Sequence, residues 1–166
     1  MTVVGLGAWC DLVTEDDYRE RLLRGGWAGP TGSPAFPSVP SRVQADAVEN
    51  LLEDFKQGLS FDVHEFADLA DGRRLTLRDD RGFTTSIGGP VARSDQWRHL
   101  TLEHLERDVL TTVLPDDDDT QEQHPWDVLA QLLHLQGVEA TAEELRVLPY
   151  RVEFSERLRE RLADDK

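Results

Sequence analysis

The chain predicts an α+β fold, several amphipathic helices packed on a small antiparallel sheet. Three observations carry that expectation. Residues 73–88 alternate polar and apolar in two short runs separated by a turn sequence, the signature of a hairpin. Residues 48–59 carry one continuous helical stripe of apolar side chains. A helical C-terminal half is interrupted by a second alternating run at 149–154, the expected extra strand. At 166 residues one domain, 1–166, is the expected organisation. A chain of that size buries enough surface to fold without a disulfide or a metal.

Val3–Trp9 is apolar and partly β-branched, which suits a short strand. Thr14 then caps a helix whose first turn, Glu15, Asp16 and Asp17, meets the positive end of the helix dipole. Gly25-Gly26 stops that helix. Residues 25–41 hold four glycines and four prolines, so an irregular loop is expected there, pinned by Trp27 and Phe36. Ser41 or Arg42 opens the next helix, on which Val48, Leu51, Leu52, Phe55 and Leu59 share a face. Ser60–Ala70 shows no clean period.

Arg73–Arg78 and Phe83–Ile87 read as the two strands of the hairpin, with Gly82 of Asp79-Asp80-Arg81-Gly82 as its left-handed turn residue. Thr101 caps a helix bearing Leu102, Leu105, Val109 and Val113. Pro125 opens another with Trp126, Leu129, Leu132 and Leu133. Thr141-Ala142-Glu143-Glu144 is a capping box, and Ser155 caps a last helix with Leu158 and Leu162.

Charge is the strongest compositional signal. Asp and Glu number 33 against 18 Lys and Arg, a formal net charge of −15. Such a chain is repelled by nucleic-acid backbones and anionic membranes, so neither is expected as a partner. Only Lys56 and Lys166 are lysine, and Asn50 and Ile87 stand alone in their types, a bias that points to a high-GC, bacterial genome. No window approaches a membrane span, the N-terminus lacks the basic and apolar regions of a signal peptide, and the one thiol, Cys10, suits a reducing compartment. A cytoplasmic location follows as the expectation.

Catalytic and cofactor motifs are weak. Gly5-Leu6-Gly7 is half of a dinucleotide fingerprint, but its third glycine position falls at Cys10 and the next helix begins only after Thr14. It reads as a tight strand. Cys10 stands in no nucleophile context and reads as a buried thiol. His99 and His104 straddle a helix start, and the Asp116–Asp119 run lacks the spaced ligands and central glycine of a calcium loop. No cofactor or metal is expected. Arg73, Arg74, Arg78, Arg81 and Arg93 make the hairpin region locally basic, which neighbouring Asp71, Asp79 and Asp80 balance.

The sequence therefore points to a non-enzymatic acidic binding protein, of the immunity-inhibitor or adaptor type, that takes a basic protein partner on an acidic helix–loop–helix face. Across Thr101–Asp127 nine carboxylates face Arg107 alone. Glu103, Glu106, Asp116, Asp117, Asp118, Asp119 and Trp126 are the residues expected to touch the partner. Two other readings stay open: a small enzyme whose site assembles in space from His64, His99 or His104 and nearby carboxylates, and a structural subunit that docks through the proline-rich loop at residues 30–40.

Overall fold

In the computed structural model, the structure describes residues 1–24, 45–85, 93–114 and 124–164. Within them the fold is α+β. Four strands form one sheet: β1 (Val3–Leu12), β2 (Leu59–Leu69), β3 (Arg74–Thr85) and β4 (Tyr150–Phe154), in the order β3-β2-β1-β4. The helices are α1 (Glu15–Arg24), α2 (Ala45–Phe55), α3 (Arg93–Gln96) with a 3-10 turn at Trp97–His99, α4 (Leu102–Thr112), α5 (Trp126–Leu135), α6 (Ala142–Arg146) and α7 (Glu156–Asp164). The Gly/Pro-rich stretch at 25–41 and the Asp116–Asp119 run lie outside the described residues.

The sheet differs from the expected one in two respects. It is mixed rather than antiparallel, because β4, reached after α3, α4, α5 and α6, returns parallel to β1. The extra strand at 149–154 is β4 itself. And residues 74–85 are one strand, not a hairpin of their own. The hairpin joins β2 to β3 and turns at Ala70–Arg73, where Gly72 takes the left-handed position at φ 87°. The run read as a turn is a bulge. Val63 pairs with Arg81 and Glu65 with Arg78, so Asp79 and Asp80 together stand opposite His64. Gly82 is a glycine for a different reason than the one expected. Its φ is negative, and a Cβ there would lie 2.6 Å from the Phe61 carbonyl oxygen.

The strand face toward α4, α5, α6 and α7 is apolar. Ala8, Cys10, Phe61 and Val63 pack with Trp97, Leu105, Val109, Leu158 and Leu162. Further along the same face Leu6, Ala67, Leu69 and Leu77 pack with Leu129, Leu133, Val138 and Leu145. A third cluster, Val13, Tyr18, Leu52 and Phe55, seats α1 against α2, with the Tyr18 and Phe55 rings stacked 4.5 Å apart. Side-chain caps hold the helix starts. Thr14 Oγ1 accepts from the Asp17 N–H, Thr101 caps α4, Thr141 and Glu144 form the expected capping box, and Ser155 Oγ accepts from the Leu158 N–H.

On the opposite face β1 presents Gly5 and Gly7, and their bareness is what the Gly-Leu-Gly motif supplies. The Phe66 ring crosses from β2 into the space above Gly7, where a Cβ would lie 2.4 Å from the Arg151 carbonyl oxygen and 2.6 Å from the ring. A Gly7→Ala substitution should therefore cost about 1–3 kcal/mol, the usual range for overpacking a well-filled site. Urea denaturation with circular dichroism checks it, the midpoint falling at unchanged slope.

Candidate functional site

The densest convergence of polar side chains lies inside the apolar face, around Glu65. Alternation along β2 places Phe61, Val63, Glu65, Ala67 and Leu69 on one side, so a carboxylate occupies a position the pattern otherwise fills with hydrocarbon. Glu65 is 1% exposed. Its Oε1 accepts from the Tyr150 hydroxyl at 3.0 Å and lies 3.0 Å from His124 Nε2. Oε2 faces Arg78 Nη1 at 3.3 Å, an ion pair without hydrogen-bond geometry.

Four separate segments meet here. Glu65 comes from β2, Arg78 from the bulged part of β3, Tyr150 from the start of β4, and His124 from the residue that precedes Pro125 and α5. The His124 ring lies between two aromatic rings, 4.6 Å from Trp126 and 4.8 Å from Tyr150. The His124 and Arg78 side chains are only 7% and 10% exposed. Burial, and next the adjoining Glu65 charge, push the Tyr150 phenol far above its ordinary range, so it acts as a fixed donor. The arrangement can hold a charge and clamp the start of α5. Its reacting atoms are closed to solvent.

A second charged group decorates the open face. Arg74 bonds Asp68 (Nε, 2.8 Å) and Glu153 (Nη1, 2.7 Å), and Arg151 bonds Glu153 (Nε, 2.7 Å) and Asp68. This alternating ring spans β3, β2 and β4 over the Phe66 ring, with the Arg74 guanidinium 3.6 Å from its centroid. Phe66 is only 3% exposed, with two guanidinium groups against its ring. Trp9 and His64 adjoin it in an edge-to-face contact at 5.4 Å.

The residues singled out from sequence are dispersed. Glu103 and Glu106 lie exposed on α4 and make no ion pair among the described residues. Trp126 is half-buried, its ring against His124 and the α5–α6 apolar cluster. Asp116, Asp117, Asp118 and Asp119 lie outside the described residues. His64 is on the open sheet face, while His99 and His104 are exposed on the 3-10 turn and α4, so the three do not converge. Cys10 is a buried free thiol, its pKa raised first by burial and then by the charges of Asp11, Asp62 and Asp108. Three of the arginines near the β2–β3 turn and on β3 are engaged: Arg73 with Asp71, Arg74 with Asp68 and Glu153, Arg78 with Glu65.

Sequence reasoning missed Glu65, Arg78, His124 and Tyr150 as a group. One signal was present, a glutamate at an apolar phase of β2, but its partners are far away in the chain. No group of three or more His, Cys, Asp and Glu among the described residues could hold a metal ion, and no helix among them is long and apolar enough to cross a membrane. Set against protein-family models, curated proteins and solved structures, the chain matches none.

Two predictions follow from the buried polar groups. Glu65→Ala leaves Arg78 inside without its counter-charge and should cost about 3–5 kcal/mol, whereas Glu65→Leu combined with Arg78→Met should cost much less than the sum of the two single changes. Urea titration of the four proteins measures the coupling. At alkaline pH, Cys10 and Tyr150 stay protonated in the fold but ionise near 9.0 and 10.0 when unfolded. The unfolded state then binds fewer protons, so stability is full below pH 9 and falls as pH rises beyond it. Cys10→Ala and Tyr150→Phe should each flatten that fall, read as unfolding free energy against pH.

Proposed function

We propose that the chain is an acidic binding protein, of the immunity-inhibitor or adaptor type, that takes a basic protein partner through the carboxylates of residues 101–127, which include α4 and the start of α5. The observation that carries this reading is the density of charge, nine carboxylates against Arg107 across residues 101–127. On and around the sheet, Arg21, Arg74, Arg78, Arg151 and Arg157 each pair with a carboxylate. On α4 and α5, Glu103, Glu106 and Asp127 are exposed and make no ion pair among the described residues. Between them the sequence adds Asp116–Asp119. Uncompensated carboxylates on one stretch raise the local concentration of a cationic protein and orient its approach. Trp126, clamped at the base of α5, lies within that stretch. The alternative use of histidine and carboxylate in catalysis has less support, since the convergent pair, His124 and Glu65, is sealed.

The test compares the protein with a variant carrying Glu103→Gln, Glu106→Gln and Asp116–Asp119→Ser as bait in extracts of the source organism. A basic protein should bind the parent at low salt, elute as salt rises, and be lost from the variant. Equal retention by both baits, or capture of an acidic protein alone, overturns the reading.

A further inference from the structure

The sheet ends in two edges, and they are not alike. The β3 edge is interrupted by the Asp79–Asp80 bulge, and its Thr76 carbonyl is taken by Gln136 Nε2 at 2.9 Å. Bulges and charges of this kind protect an edge from pairing. The β4 edge has no bulge, and its two charges, Arg151 and Glu153, are of opposite sign. Within Tyr150–Phe154 there is no proline and no bulge, and among the described residues no strand pairs with its outer side.

The register defines which backbone groups face outward. At the start of the pairing the Leu6 N–H donates to the Pro149 carbonyl, and at its end the Ser155 N–H donates to the Cys10 carbonyl. In a parallel ladder with Leu6 opposite Tyr150 and Cys10 opposite Phe154, the inward groups then belong to residues 149, 151, 153 and 155. The N–H and C=O groups of Tyr150, Val152 and Phe154 point away from the sheet.

We infer that this edge pairs with the same edge of a second copy, antiparallel about a twofold axis at Val152, joining the two sheets into one. The sequence Tyr-Arg-Val-Glu-Phe is self-complementary in that register. Val152 meets its own counterpart and Tyr150 meets Phe154 of the other copy, and these are the residues whose backbone groups are free to exchange hydrogen bonds. Arg151 meets Glu153 of the other copy at the non-hydrogen-bonded positions, where opposing side chains come closest. Both ion pairs fall on the open sheet face, beside the Asp68–Arg74 pair. The symmetry makes the contact isologous and self-limiting. A molecule of net charge −15 repels its copy at long range, yet this strip is locally balanced, so added salt should strengthen the dimer. That dependence is opposite to the one expected of a basic partner on α4, and the two readings stand or fall separately.

Sedimentation equilibrium of the full chain, at low and high salt over a range of protein concentration, tests the inference. The expected result is a concentration-dependent mass approaching twice the 18.8 kDa of one chain, with more dimer at high salt. Arg151→Glu and Glu153→Arg should each give monomers alone, a heterodimer when mixed, and a homodimer when combined in one chain. Val152→Pro removes an outward N–H and no bond to β1, a substitution edge strands tolerate, and should give a folded monomer. A parent chain that stays monomeric to millimolar concentration at high salt overturns the inference, as does a Val152→Pro protein that keeps its thermal transition and still dimerises.

Discussion

A carboxylate in the hydrocarbon of the sheet's covered face is the constraint around which the rest of this molecule is arranged. An ionised group at that depth has lost its water, and isolation there would cost far more than the whole stability of a domain. Glu65 is therefore surrounded by partners: Tyr150 and His124 at hydrogen-bond distance of one oxygen, and the Arg78 charge 3.3 Å from the other. Each partner belongs to a different segment, so satisfying one charge sets the relative positions of β2, β3, β4 and the entry to α5. The bulge at Asp79–Asp80 belongs to the same arrangement. It re-phases β3 between Arg81 and Arg78, so that Arg78 falls opposite Glu65. Pairing of this kind adds little net stability over an apolar core, but it penalises wrong registers heavily, because a slip would strand the carboxylate.

The opposite face solves a different problem. Here α1 reaches the sheet through Arg21 on Asp62 of β2, and β1 contributes almost no side chain at Gly5 and Gly7. Phe66 fills that gap and is shielded by guanidinium groups rather than by a helix. The arginines stay in place because Asp68 and Glu153 hold each of them from two sides. Hydrogen bonding within the ring lowers the pKa values of Asp68 and Glu153 and raises those of both arginines, as a mutually supporting ion network requires. Exposed single ion pairs contribute little, but a ring fixed on strands avoids most of the side-chain entropy that weakens them.

How much of this was legible follows from whether the controlling interaction is local. Thr14, Thr101, Thr141 and Ser155 were readable as caps because a cap involves residues three apart. The apolar stripes of α4, α5 and α7 were readable because 3.6-residue periodicity survives any tertiary context. Strand β2 was not, since Glu65 and Phe66 sit on the faces their polarity argues against, and the reasons for both lie on other strands. The misplaced hairpin has the same origin. Asp-Asp-Arg-Gly carries turn chemistry, and only the pairing with β2 shows that the glycine makes room for the Phe61 carbonyl. The grouping of Glu65 with His124 and Tyr150 depends on sequence separations of 59 and 85, beyond the reach of any pattern.

The acidity of the chain and the balance of its sheet act over different distances. Net charge is felt across a Debye length, about 8 Å at physiological salt, and governs what approaches. Contact is decided at hydrogen-bond distance, where a strip such as Tyr150–Phe154 presents both signs and a row of backbone groups that no strand pairs among the described residues. Strands of that kind are usually guarded, and an inward or bulged charge is the common guard. On β4 the charges alternate and are already oriented by Asp68 and Arg74, so they offer a matching surface rather than a repulsive one. The excess negative charge therefore cannot substitute for the missing guard. It slows an encounter between copies without penalising the docked register, whereas on α4 the same excess is offset by Arg107 alone.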